Sequence, residues 1–189
     1  MGIKKEKRRS KVRRAVFLDR DGVVNRALVR NGKPYPPTNL NEFVILPDVA
    51  EACRKLKESG YTIVVATNQP DVGRGISSRD IVEEMHTFLL KQVPIDRIEI
   101  CYHPGRGQSN CDCRKPLPGM LFRASQELGL DLSQSWMVGD RFGDIVCGQA
   151  AGCRTILIGG GYGEDSQTTP DFYVSNLTEA AVIILKQNN

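Results

Sequence analysis

Hydrophobic residues fall along this chain in two patterns. Residues 15–18, 62–66, 97–100, 135–138 and 155–158 are short stretches rich in apolar and β-branched side chains, with a shorter one at 172–174. Runs of that kind, with little polar alternation, read as strands covered on both faces, which is the habit of a parallel sheet. Between them, apolar positions recur at helical spacing. Val49, Ala52, Cys53 and Leu56 follow an expected N-cap at Asp48, and Ile81, Met85, Phe88 and Leu89 follow an expected Ser77–Asp80 capping box. His86 borders that second stripe and reads as a helix-surface residue. Further helices are expected at 118–128, stopped by Gly129, at 144–151 and at 178–185. Residues 22–46, with Gly32, Pro34, Pro36 and Pro37, are too broken for a long helix and read as a loop or short flap. The alternation predicts one α/β domain with a mostly parallel central sheet covered on both faces and no room for an inserted domain.

The polar residues that interrupt this pattern sit where such sheets place ligands, just past the carboxyl ends of strands. Asp19 and Asp21 follow the first strand, Thr67-Asn68-Gln69 the second and Gly139-Asp140 the fourth, with Arg114 and Lys115 shortly after the third. Two carboxylates two positions apart repel, so they need a cation, a shared proton or solvent. Alone, Asp-Arg-Asp-Gly is equally a strand-end turn. Together the set suits phosphomonoester hydrolysis. Asp19 would attack phosphorus, and Asp21 would protonate the leaving oxygen and later activate water. Asp140 would share a Mg²⁺, which prefers carboxylate and water oxygens. Thr67 and Lys115 would meet the phosphoryl oxygens.

Cysteines add a second constellation. Cys101-Tyr102-His103, seven residues, and then Cys111-Asp112-Cys113 offer three thiolates and one imidazole, the closed shell of a structural Zn²⁺. Such an ion would shape the loop that presents Arg114 and Lys115. Cys53, Cys147 and Cys153 fall among apolar positions and read as core. Gly159-Gly160-Gly161-Tyr162-Gly163 lacks the lysine and hydroxyl of a P-loop and reads as a flexible exit from a strand.

Composition changes this picture only at the N-terminus. The 189 residues carry a net charge of +4, but residues 1–14 hold eight basic residues and one acid, leaving the remainder at −3. The surplus therefore belongs to an arm, expected to be flexible, ahead of a domain spanning 15–189. Without interleaved aromatics the arm does not read as a nucleic-acid contact. No apolar run approaches the roughly 20 residues that cross a bilayer, and no secretory signal is evident. A cytoplasmic, monomeric protein with no membrane partner is expected.

The set Asp19-Arg20-Asp21-Gly22, Thr67-Asn68-Gln69, Lys115 and Gly139-Asp140 resembles the haloacid dehalogenase superfamily of phosphatases. With the Cys101, His103, Cys111, Cys113 set and Cys113-Arg114-Lys115-Pro116, the chain is similar to the histidinol-phosphatase-related branch. Gly73-Arg74-Gly75, Pro118-Gly119-Met120 and Asp-Gly-Val-Val-Asn from Asp21 bring it nearest the heptose bisphosphate phosphatases of that branch. The resemblance implies a Rossmann-like three-layer fold without a large cap domain, and Mg²⁺ held by Asp19, Asp140 and the backbone carbonyl of Asp21. It also implies phosphoryl stabilisation by Thr67 and Lys115, and recognition of a small phosphorylated sugar by Arg114. By position, Asn68, Gln69 and Arg141 would line the same substrate site. Two alternatives remain at this stage: histidinol phosphate as substrate, or a zinc-stabilised nucleic-acid-binding protein whose aspartates are vestigial.

Overall fold

The computed structural model describes residues 13–105, 111–163 and 168–187. The basic arm, apart from Arg13 and Arg14, lies outside the described residues. Those two belong to the fold: Arg14 opens the first strand, and Arg13 bridges to Leu130 and donates to the Leu128 carbonyl at 2.8 Å. The described residues thus begin two positions before residue 15.

In chain order the elements are β1 (Arg14–Leu18), a hairpin of β2 (Leu28–Arg30) and β3 (Lys33–Tyr35), α1 (Val49–Glu58) and β4 (Tyr61–Asn68). They continue with α2 (Pro70–Gly73), α3 (Arg79–Gln92), β5 (Arg97–Cys101), α4 (Gly119–Leu128) and β6 (Trp136–Gly139). The chain closes with α5 (Phe142–Ala150), β7 (Arg154–Ile158), β8 (Phe172–Val174) and α6 (Leu177–Lys186). Six strands form one sheet in the order β5-β4-β1-β6-β7-β8, every neighbouring pair parallel. The order reverses at β1, which has β4 on one side and β6 on the other, so a crevice opens at the carboxyl ends of β1 and β6.

Alternation along β1 shows why the run is uniformly apolar. Val16 and Leu18 pack into the layer of α1, α3 and α6, whereas Ala15 and Phe17 pack into that of α4 and α5. Either face would cost stability if polar, so both are apolar. Between β1 and α1 stand only the β2–β3 hairpin and a single 3-10 turn at Leu40–Glu42, so no cap domain occurs among the described residues.

Several local expectations shift. Asp48 does precede α1 but makes no side-chain cap; its Oδ2 instead accepts from the Thr178 amide and hydroxyl, tying α1 to α6. The cap of α3 is Ser78 rather than Ser77, its hydroxyl oxygen accepting from the Ile81 amide at 3.3 Å. With that start the inward face of α3 is Val82, Met85, His86 and Leu89. His86 is therefore buried, not on the surface, while Phe88 moves outward to meet Phe43 edge-on. Helix α2 was not expected, because four residues carry no periodicity. Thr67 and Asn68 lie inside the end of β4 and not beyond it. Gly161–Gly163, expected as a flexible exit, is a 3-10 turn in which Tyr162 takes a left-handed conformation, φ 55°.

Candidate active site

Asp19 is the first residue after β1, and its amide donates to the Val138 carbonyl of β6 at 2.9 Å. This bond fixes it at the switch point. Lys115 reaches the same place from the segment after β5. Its Nζ lies 2.5 Å from Asp19 Oδ1 and 2.6 Å from Asp144 Oδ1, and donates to the Ala66 carbonyl at 2.7 Å. Asp140 follows β6, and its carboxylate joins those of Asp19 and Asp144 in a cluster whose oxygens lie within 4.8 Å of one another. All four side chains are buried.

If all four are ionised, the cluster carries two negative charges more than Lys115 answers. Burial pushes the Asp19 carboxyl up to about 6, opposed by Lys115 and aided by Asp144 and Asp21. Burial, then the charges of Asp19 and Asp144, push Asp140 up to about 8. Burial works against the Lys115 charge, but Asp144 and Asp19 outweigh it and raise its pKa. Lys115 is a fixed cation here, and the excess charge is on the carboxylates.

Three features fit a divalent ion to this cluster. Both carboxylate oxygens of Asp140 are buried without a well-formed hydrogen bond; the Tyr162 hydroxyl stands near enough to interact with them but does not meet full bonding geometry. Gly22, at φ 105°, leaves the space before Asp140 open, since a Cβ there would stand 1.7 Å from Asp140 Oδ2. The donors are all carboxylate oxygens, the chemistry of a hard cation, and two positive charges would balance the excess. A cavity of about 350 Å³, walled by Gly22, Ile158, Gly159 and Tyr162, opens beside Asp140.

Asp21 sits apart from this cluster, with its own partners. The Arg20 guanidinium forks onto both its oxygens at 2.9–3.2 Å, Asn25 Nδ2 donates to Oδ1 at 3.0 Å, and Gln69 Nε2 donates to Oδ2 at 2.9 Å. The same Gln69 nitrogen lies 2.9 Å from Thr67 Oγ1, so the Thr67 oxygen is the acceptor and its own proton is left to donate elsewhere. Asn68 clasps Lys115, its Nδ2 donating to the Lys115 carbonyl and its Oδ1 accepting from the Lys115 amide, both at 3.1 Å. Asn68 and Gln69, expected to line the substrate site, thus spend their amides on Lys115, Asp21 and Thr67. Arg141 is exposed beside Asp140, and its amide donates to Asp144 Oδ2 at 3.1 Å. Arg114 is half-buried against the Cys101–Cys113 segment, near the His103 carbonyl at 3.5 Å.

The four expected zinc ligands converge. His103 Nδ1 lies 3.4 Å from Cys101 Sγ and 3.3 Å from Cys113 Sγ, and Cys111 completes a set within 4.8 Å. A tetrahedron with Zn–S about 2.3 Å and Zn–N about 2.0 Å has N···S edges of roughly 3.5 Å, so the spacing fits. Burial pushes the Cys113 thiol up to about 12, and a cation among these sulfurs would reverse that preference. Residues 106–110, within this segment, lie outside the described residues.

Comparison with known proteins agrees with this geometry. The family described as "HAD-hyrolase-like" matches residues 112–180. D-glycero-beta-D-manno-heptose-1,7-bisphosphate 7-phosphatase of Pseudomonas aeruginosa is 38% identical over 80% of this chain and 84% of its own. The enzyme of that name from Pasteurella multocida is 34% identical over 92% of this chain and 97% of its own. The chain belongs to the heptose bisphosphate 7-phosphatase family of haloacid dehalogenase-like enzymes. A solved D,D-heptose 1,7-bisphosphate phosphatase from B. bronchiseptica, complexed with magnesium and phosphate, superimposes with a TM-score of 0.78 at 28% identity. That likeness covers 93% of this chain and 99% of that one.

Against this family background, sequence reasoning missed three residues. Asp144 passed as the first residue of a helix; Asp140 precedes the extended N-cap Arg141 while Asp144 lies in the first turn of α5, so no helical spacing links them and only the fold brings both acids to one point. Arg20 passed as spacing between the aspartates, and His86 as surface. For the contact between these two no local signal existed, since they stand 66 positions apart.

Proposed function

We propose that the chain is a Mg²⁺-dependent phosphatase that removes the 7-phosphate of D-glycero-β-D-manno-heptose 1,7-bisphosphate, in the making of nucleotide-activated heptose. The observation that supports this best is the meeting of Asp19, Asp140, Asp144 and Lys115 at the β1–β6 switch point. It occurs in a chain similar throughout to enzymes of that name.

In this reading Asp19 Oδ attacks phosphorus in line, forming an aspartyl-phosphate as the P–O bond to the sugar breaks. Asp21 gives a proton to the departing alkoxide. The resulting Asp21 carboxylate then takes a proton from the water that attacks the aspartyl-phosphate, which returns Asp19, frees phosphate and restores Asp21. Thr67 donates its hydroxyl, and Lys115 its charge, to the phosphoryl oxygens. Asp19, Asp140 and the Asp21 carbonyl, with Asp144 behind them, would hold Mg²⁺, whose charge would offset that of the phosphoryl group when bound. Arg114 and Arg141 meet the sugar and its second phosphate. Asn68 and Gln69 act indirectly, by holding Lys115, Asp21 and Thr67. Cys101, His103, Cys111 and Cys113 would hold a structural Zn²⁺ just ahead of Arg114 and Lys115.

A substrate panel tests the reading. The purified protein with Mg²⁺ should hydrolyse the β-heptose bisphosphate with a kcat/KM well above that for the α-anomer or histidinol phosphate. A preference for histidinol phosphate would overturn the assignment of substrate and leave the chemistry standing. No turnover of any phosphomonoester would overturn both.

A further inference from the structure

Arg20 is one of the most deeply buried residues, at 0% exposure. A buried guanidinium persists only where its donors are answered. Nε and one terminal nitrogen fork onto Asp21, the other terminal nitrogen donates to His86 Nε2 at 3.0 Å, and the Phe43 ring lies 5.5 Å away. To accept that bond, His86 Nε2 must offer its lone pair. Burial, and then the Arg20 charge, push the His86 pKa down to about 3, so the ring is a neutral acceptor. Its proton then resides on Nδ1, which has no hydrogen-bond partner; Glu83 Oε2 stands 3.9 Å off.

The cost of this arrangement is the clue. Position 86 lies on the inward face of α3 with Val82, Met85 and Leu89, where an apolar side chain would pack without an orphaned nitrogen. What the imidazole does there is hold Arg20, and what Arg20 holds is Asp21. We infer that Arg20 and His86 are a positioning pair: a neutral imidazole from α3 locks the guanidinium fork that aims the Asp21 carboxyl at the leaving oxygen. This rests on the reading of Asp21 as acid and base. A merely structural pair, pinning α3 to the end of β1, would affect all substrates alike.

Leaving-group dependence separates the two roles. An alkyl phosphate, here the β-heptose bisphosphate, needs a proton on its departing oxygen, whereas p-nitrophenyl phosphate scarcely does. His86→Leu should lower kcat/KM for the alkyl substrate by about 10–100-fold and leave the aryl substrate within about threefold. His86→Gln, whose amide oxygen can accept from Arg20, should recover most of the loss. Arg20→Lys keeps the charge without the fork and should resemble His86→Leu; it decides alone if a melting curve shows His86→Leu unfolded. Asp21→Asn is the control. If it lowers kcat/KM, which reports the step in which the leaving group departs, equally for both substrates, the acid role of Asp21 is what fails. If it is selective while His86→Leu and Arg20→Lys slow both substrates alike, or neither, the positioning pair is overturned.

Discussion

At Asp19, burial, one cation and two neighbouring carboxylates compete, and burial prevails. The buried cluster holds more negative than positive charge, which makes single substitutions informative. Asp19→Asn removes the proposed nucleophile, and kcat should fall to about a thousandth or less. Because it also removes one uncompensated charge, the metal-free variant should melt no lower than the parent. A melting curve and a turnover assay on the same sample check both statements, and substantial residual turnover would remove Asp19 from its role. Gly22 offers a sharper test of the ion. Gly22→Ala would force a methyl into the Asp140 carboxylate from a left-handed backbone. We expect Mg²⁺ affinity, read by calorimetry, to weaken by roughly tenfold or more, on the scale of disturbing a ligand's orientation. Unchanged affinity would place the cation elsewhere.

The elements differ in how much of themselves the sequence displays. Strands β1, β4, β6 and β7 were legible because burial on both faces demands unbroken apolar side chains. The start and inward face of α3 were not, since Ser77 and Ser78 are equally good caps and only packing chooses between them. The choice turned His86 inward. The segment from Cys101 to Cys113 was legible as chemistry, because thiolates and an imidazole at this spacing have few other uses. Its importance to the active site comes from sequence adjacency: Lys115 is only two residues past Cys113. Cys111→Ser should therefore release zinc, measured as a fall from about one equivalent per chain, and lower kcat by about tenfold or more. An intact protein that contains no zinc would defeat this prediction.

For the whole molecule, the cluster links stability to pH and to metal. Asp140 titrates near 8 in the folded protein against a model-peptide value of 3.8, and Asp19 near 6. With pKa values raised by folding, the native state binds protons that the unfolded chain releases. The resulting stabilisation is full below about pH 4 and is lost as pH rises, through about 6 for Asp19 and about 8 for Asp140. The metal-free protein should therefore melt progressively lower from pH 5 to pH 8. Mg²⁺ competes with protons for the same oxygens, so it should raise the melting temperature more at pH 8 than at pH 5. A larger increment at pH 5 would refute the cluster as the cation site. None of the described helices is long and apolar enough to cross a membrane.

The amino-acid sequence by itself determined the parallel sheet, the acids and donors at its strand ends and the clustering of Cys101, His103, Cys111 and Cys113. Each depends on local rules: apolar runs, residues just past a strand, fixed spacing within one loop. Tertiary structure alone decided the partners. Asp144 joins Asp19 on Lys115, Gln69 bridges Asp21 to Thr67, Asn68 clasps Lys115, and His86 answers Arg20. A buried charge has to be satisfied by whatever donor the fold brings within about 3 Å, and that donor can come from anywhere in the chain.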